Sequence, residues 1–177
     1  MCNRLLQEFP DIAYSVSCTT RQPRGAETDG VAYFFLTQDE FQKRIDNGEF
    51  LEHACVHNHC YGTLKSTIYD AFFKNKTIIL DIDVAGATQI RNYIKTLPPT
   101  DPLRAGFIDV FIQPPSLEEL RRRLICRNED SSETIALRMK NAEAEMASVP
   151  LYQCVIINDN LDQAYTELRN IIETKRN

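Results

Sequence analysis

Apolar and polar positions change period several times along the chain, and each change marks an element. Leu5, Leu6 and Phe9 share one side of a stretch that Pro10 ends, which predicts the tail of a helix over residues 2–9. Tyr14 and Val16 alternate with Ser15 and Ser17 at the period of a short strand, and Pro23 turns the chain toward a second strand at residues 31–36. Thr37-Gln38-Asp39-Glu40 is a capping box, Phe41 and Ile45 follow at i, i+4, and Gly48 supplies a left-handed stop, so a helix lies between them. Residues 49–54 alternate again, and Tyr61-Gly62-Thr63 follows a turn. A small antiparallel subdomain is therefore expected over about residues 31–63.

Downstream the alternation stops. A helix is expected over residues 67–74, and the apolar runs at 77–84, 108–112 and 154–157 read as strands buried on both faces of a parallel sheet. Between them come a helix at about 86–93, a Pro-rich loop at 95–106 with no functional reading, and a helix opened by the capping box Ser116-Leu117-Glu118-Glu119. A hinge at 128–132 and a second helix at about 133–146 make a helical hairpin over roughly 121–147, carrying Arg121, Arg122, Arg123, Arg127 and Arg138. Arg121 and Arg122 also read as a solvated charged face. Asn160-Leu161-Asp162-Gln163 caps a closing amphipathic helix with Leu168, Ile171 and Ile172 on its apolar side. Strands alternating with helices give an α/β fold around a parallel core.

With 177 residues, 43% of them hydrophobic, the chain can bury one sizeable core, and a single domain with small subdomains is expected. A net charge of -5 argues against a general nucleic-acid or membrane surface. No apolar run is long enough to span a bilayer and no signal-peptide core precedes the first helix, so the chain is read as cytoplasmic. Its six cysteines form no C-x-x-C pair, and most are expected to be reduced. A strand over residues 53–59 would set His53, Cys55, His57 and His59 on one face beside Cys60, which raises a zinc-site reading, although no second ligand cluster exists to complete it.

The charged chemistry begins at residues 14–24. Ser and Thr hydroxyls at a strand end are followed by Arg21 and Arg24, whose forked guanidinium groups can converge on one anion. Read alone, the same string is a solvated turn with two surface arginines. Asp81 and Asp83 end the apolar run that begins at Thr77.

Taken together, Ser17-x-Thr19-Thr20-Arg21-x-x-Arg24, Asp29-Gly30-Val31-x-Tyr33-x-Phe35, Gly48-Glu49-Phe50-Leu51-Glu52, Tyr61-Gly62-Thr63, Leu80-Asp81-Ile82-Asp83, Pro114-Pro115-Ser116-x-Glu118-Glu119-Leu120 and Ile157-Asn158-Asp159 resemble guanylate kinase. The resemblance spans nearly the whole chain. It implies a P-loop NTPase-type parallel-sheet core, a GMP-binding subdomain and a helical lid, in an enzyme that moves the γ-phosphoryl group of ATP to GMP, or alternatively to dGMP, with Mg2+. By the same resemblance Arg21, Arg24, Tyr33 and Tyr61 hold the GMP phosphate, and Ser17, Glu52, Thr63 and Asp83 read guanine. Arg123, Arg127 and Arg138 close over the transferred group. Asn158 lies near ATP, and Asp81 organises magnesium through water or, alternatively, caps a neighbouring loop. No nucleic-acid or membrane partner is implied.

One part of the family pattern is missing from these residues. No G-x-x-x-x-G-K-[ST] string occurs in them, although that loop cradles the ATP phosphates. The expectation is that the chain as written lacks the family's first strand and P-loop, binds ATP poorly, shows little or no kinase activity and loses roughly 10 kcal/mol of burial. A non-catalytic module that binds GMP or a phosphorylated or acidic peptide at the same site is the alternative, and a zinc-dependent domain is the third reading.

Overall fold

The computed structural model describes residues 1–56, 58–127 and 131–176, so His57 of the zinc reading and residues 128–130 of the hinge lie outside it. Two compact units divide the chain, Cys2–Phe107 and Ile108–Asn177.

The first unit opens with α1 (Cys2–Glu8), which buries Leu5, followed by β1 (Ile12–Tyr14), β2 (Cys18–Thr19) and β3 (Phe34–Phe35). Then come α2 (Gln38–Asp46), β4 (Phe50–Val56), β5 (His59–Leu64), α3 (Lys65–Phe73), β6 (Thr77–Ile79), α4 (Val84–Thr96) and α5 (Pro102–Gly106). The opening alternation is thus split between β1 and β2, and the strand expected at 31–36 shrinks to Phe34–Phe35. Residues 28–33 are drawn into a loop instead, where Val31 and Ala32 both donate to the Thr28 carbonyl and Gly30 N donates to Tyr33 O. The Pro-rich segment is not a plain loop: α4 extends to Thr96, and Asp101 caps α5 by accepting from Leu103 N at 2.9 Å.

Four strands form one sheet in the order β3-β2-β5-β4, with β2 parallel to β3 and β5 antiparallel to both β2 and β4. It is a mixed sheet that takes in β2. The capping box of α2 closes in both directions, Glu40 N to Thr37 Oγ1 at 3.2 Å and Thr37 N to Glu40 Oε2 at 2.8 Å. That helix drives Phe41 into a core with Cys18, Phe50 and Leu64, its ring stacked on Phe50 at 4.5 Å. A buried phenylalanine contributes about 1.5–3 kcal/mol. Leu51, Ile68, Ile90, Ile94 and Leu103 make a second cluster.

A bulge in β4 decides where Glu52 goes. Phe50 pairs with Leu64, yet Glu52 pairs with Thr63, so Leu51 is the extra residue. In a regular strand residues 50 and 52 face the same way, and the carboxylate would lie in the Phe41 core. The bulge sends them to opposite faces. Gly62 makes room opposite, since a Cβ there would stand 3.0 Å from the Glu52 carbonyl oxygen and from His53 Cβ.

β6 pairs in parallel with β1, Ile12 against Thr77 through Tyr14 against Ile79. Its residues are half-buried, less than a strand enclosed on both faces, because among the described residues it has one pairing partner.

In the second unit β7 (Val110–Gln113) pairs in parallel with β8 (Cys154–Ile157). Between them run α6 (Leu117–Arg127), α7 (Ser132–Met146) and a 3-10 turn at Val149–Leu151. α8 (Leu161–Arg176) closes the unit and buries Ala164, Tyr165 and Leu168; of the expected apolar side only Leu168 is buried, and Ile171 and Ile172 are half-buried. Asn160 caps it by accepting from Asp162 N and Gln163 N. Buried Asp109 ties the two strands, its Oδ1 accepting from Gln153 N at 2.8 Å. Both strand pairs are parallel, as expected for an α/β fold.

Candidate functional site

One face of the mixed sheet gathers three of the residues singled out in the first unit, Glu52, Tyr61 and Thr63. Thr19 stands opposite Tyr61 and Glu52 opposite Thr63, so these four side chains share a face. Thr63 and Glu52 are 1% and 8% exposed, which buries a carboxylate beside a hydroxyl.

Arg21 follows β2 and is only 7% exposed. Its Nη1 donates to Glu27 Oε2 and its Nη2 to Glu27 Oε1, both at 2.9 Å, while Nη1 also donates to the Gln22 carbonyl. The Tyr33 ring lies 5.4 Å from the guanidinium carbon and meets the Tyr61 ring edge-on at 6.1 Å. Tyr61 is a further hydrogen-bonding neighbour of the same guanidinium. Tyr33 is brought there by the Asp29-Gly30 loop, in which Asp29 Oδ1 accepts from Phe35 N at 2.8 Å. The Arg24 side chain is exposed, but its backbone N–H donates to Glu27 Oε2 at 2.8 Å. Both residues thus meet one anion, a carboxylate of the chain itself, Arg21 through its guanidinium and Arg24 through its backbone N–H rather than its side chain.

At the other end of the face, α4 meets β4. Asp83 is the N-cap of α4 and accepts from Gly86 N at 2.7 Å. A Cβ on Gly86 would stand 2.9 Å from Glu52 Oε2 and 3.4 Å from Asp83 Oδ1, so the missing methyl is what admits the carboxylate. Gln89 clips β4 to α4 by exchanging two hydrogen bonds with the His53 backbone, at 3.1 and 2.9 Å. Burial pushes the Glu52 carboxyl above the usual range, the Asp83 charge adds to this, and hydrogen bonding to Thr63 opposes it. Ser17 lies in the link between β1 and β2, where its carbonyl accepts from Phe34 N. Asp81 is exposed just after β6.

The arginines of the second unit are less alike than the sequence implies. Arg123 donates to Glu119 and to the carbonyls of Asn158 and Asp159, fastening α6 to the chain after β8. Arg122 also grips Glu119, and the two guanidinium groups hold that carboxyl down to about 2. The Ser116 box is thus half formed: Glu119 N donates to Ser116 Oγ, while the Glu119 side chain turns to the arginines. Arg127 and Arg138 are exposed on α6 and α7. Asn158 N donates to Gln113 O at 2.7 Å, which makes Asn158 a strand-end residue.

The cysteines depart from expectation. Cys55 and Cys60 face each other across β4 and β5 and form a disulfide. Neither is then a thiolate, which removes the zinc reading, and among the described residues no group of three His, Cys, Asp or Glu side chains is placed to hold a metal. Cys2, Cys18, Cys126 and Cys154 are free, and burial raises the Cys18 thiol to about 11.

Sequence reasoning missed Glu27, Gly86, Gln89 and the disulfide. Only Glu27 carried a signal, as the one acid in the basic turn between Arg21 and Thr28. Among the described residues no helix is long and apolar enough to cross a membrane.

Comparison with known proteins gives a consistent result. A family model described as guanylate kinase matches residues 1–175. The guanylate kinase of Geobacter metallireducens is 39% identical over 176 residues, covering 99% of this chain and 82% of that protein. That of Bacteroides thetaiotaomicron is 42% identical over 172 residues, covering 97% and 80%. The crystal structure of guanylate kinase from Anaplasma phagocytophilum resembles the chain with a TM-score of 0.76 at 31% identity, over 99% of this chain and 80% of that one.

Proposed function

This chain belongs to the guanylate kinase family, and from that premise we propose that it transfers the γ-phosphoryl group of ATP to GMP, giving ADP and GDP, as a cytoplasmic enzyme. The observation that carries the reading is the single sheet face that holds a buried Glu52–Thr63 pair beside the Arg21, Tyr33 and Tyr61 cluster.

The chemistry of the two ends matches the two ends of GMP. Guanine presents adjacent donors, N1–H and the 2-amino group, and one ionised carboxylate accepts both. Adenine has an acceptor at N1 and would leave the Glu52 charge unpaired. Because Glu52 is buried, that mismatch is costly, and the site rejects the wrong base strongly. Thr63 and Ser17 serve O6 or the remaining edge, with Asp83 alongside. The phosphate is assigned to Arg21, Arg24 and the phenols of Tyr33 and Tyr61.

Transfer itself needs positioning and charge neutralisation more than covalent chemistry. Arg127 and Arg138 are the candidates for the equatorial oxygens of the moving group, and Arg123 for holding α6 in place. Asp81 is an exposed carboxylate at a strand end, an oxygen donor that suits a hard cation held through water. Mg2+ would there offset charge on the ATP phosphates.

Calorimetric titration with GMP and AMP, run beside an assay for ADP formation with Mg-ATP, tests the reading. GMP should bind at least about 100-fold more tightly than AMP, because a base-edge mismatch leaves buried polar groups unpaired. ADP formation, slow in residues without a G-x-x-x-x-G-K-[ST] loop, should require GMP. GMP binding without transfer would favour the non-catalytic alternative, and equal affinity for AMP would overturn the base assignment.

A further inference from the structure

The Glu27 carboxylate occupies half of the arginine assigned to the substrate phosphate. A guanidinium carries five N–H donors arranged on two usable edges. Glu27 takes the end-on edge, one oxygen on Nη1 and one on Nη2, and Gln22 O takes the other Nη1 hydrogen. The side-on edge, made of Nε–H and the second Nη2–H, is left to the Tyr61 phenol, the remaining hydrogen-bonding neighbour of this guanidinium, and is itself a fork that fits two phosphate oxygens.

Glu27 is also built into the turn. Its N–H donates to the Arg24 carbonyl at 3.0 Å, and its Oε2 accepts from Arg24 N at 2.8 Å. One residue thus closes residues 24–27 and fixes the guanidinium of Arg21 at once. A side chain free to swing away when an anion arrives would not need the Arg24 contacts. The Tyr33 ring at 5.4 Å then supports the guanidinium.

We propose that Glu27 is the positioning residue of the phosphate clamp: it holds Arg21 by the end-on edge throughout and presents the side-on edge to the GMP phosphate. The proposal rests on the GMP reading of this site. It excludes the opposite role, in which Glu27 is an internal stand-in for the phosphate and must leave before substrate binds.

The two roles have opposite signs in one experiment. GMP and guanosine are titrated into the wild-type protein, Glu27→Gln, Arg21→Lys and the double variant. Guanosine lacks the phosphate and reports on the base end alone. Losing the charged, bidentate partner should weaken GMP binding about tenfold in Glu27→Gln, with guanosine unchanged within about twofold. The double variant should lose little more than Arg21→Lys does, since Glu27 acts through that side chain. In the wild-type protein, GMP should shift the Arg21 Nε–H resonance while the Glu27 carboxyl carbon stays at its ion-paired position, a readout that requires no variant to fold.

Tighter GMP binding by Glu27→Gln, or release of the Glu27 carboxylate on GMP addition, would make Glu27 a competitor and overturn the proposal. Equal losses for GMP and guanosine would reduce Glu27 to general support of the turn. Wild-type protein that binds guanosine but gains nothing from the phosphate would sink the clamp while sparing the base site. Wild-type protein that binds neither would remove the GMP reading and this proposal together.

Discussion

In the proposed GMP reading Glu52 meets the base edge, and its predicted behaviour follows from burial. Glu52→Gln offers one acceptor and one donor to a base edge with two donors, so GMP binding should weaken by about 2–4 kcal/mol. Calorimetry on wild type and variant decides it, and unchanged affinity would remove Glu52 from the base site. The pH dependence has a definite sign. Burial raises the carboxyl in the folded protein, so the ligand-free fold gains stability as pH falls through that raised value toward the unfolded one, about 4.3. Guanine's donors favour the ionised form, so GMP binding at a pH between the unfolded and the raised folded value should release a proton that Glu52→Gln does not release, read from calorimetry in buffers of different ionisation heat. Gly86→Ala gives an independent probe. Its Cβ would meet Glu52 Oε2, the end of a flexible side chain, so the fold should hold or gain up to about 1 kcal/mol from helix propensity. GMP affinity should nonetheless fall as the carboxylate is displaced, and a melting curve run beside a titration separates the two effects. Glu52 was legible in the sequence through its motif. The glycine that makes room for it was not, because that contact joins residues 34 positions apart in the chain.

The β4–β5 hairpin is the element that carries the site, and three features fix its register. The bulge at Leu51 sets the faces, the disulfide joins Cys55 to Cys60, and Thr20 holds Cys60 by two hydrogen bonds at 3.0 and 2.8 Å. Gln38 adds a bond from α2 to the Asn58 carbonyl at the turn. Closing so short a loop contributes about 2 kcal/mol, so reduction should lower the unfolding free energy by about that amount. GMP affinity should change little, because the hydrogen bonds that align Tyr61 and Thr63 do not involve the sulfurs. Thermal unfolding and GMP titration with and without a dithiol reductant check both halves, and a large loss of affinity would show that the disulfide sets the site. The strands themselves were visible as period-two alternation. Neither the bulge nor the disulfide was, since alternation cannot reveal an extra residue and a Cys spacing of five states no partner until the register is known. The zinc reading failed for that reason: it counted ligand types on one strand and could not see that two of them meet across the hairpin.

At the scale of the whole molecule, each unit has its own two-stranded parallel sheet; both apolar clusters described above lie in the first unit, and the second buries Leu124, Ile156, Ala164, Tyr165 and Leu168. The α/β class was readable because apolar runs without alternation alternate with capped helices. The depth of burial was misjudged, because it depends on how many neighbours a strand finds. Among the described residues β1, β6, β7 and β8 each pair along one edge only, and Ile112, Val155 and Ile157 of the second pair are exposed. Parallel strands are seldom found in so small a sheet with an open side. An unpaired edge keeps its N–H and C=O groups available to any extended backbone that approaches. Residues 1–177 expressed by themselves should therefore change state with concentration: light scattering should show a monomer in dilute solution and growing assemblies as the protein is concentrated, with an apparent melting temperature that shifts in step. A monomer at every concentration, with a fixed melting temperature, would show that the edges are shielded. Such a protein is governed by second-order kinetics, so its working lifetime is set by how often two copies meet and only secondarily by how tightly one copy is folded.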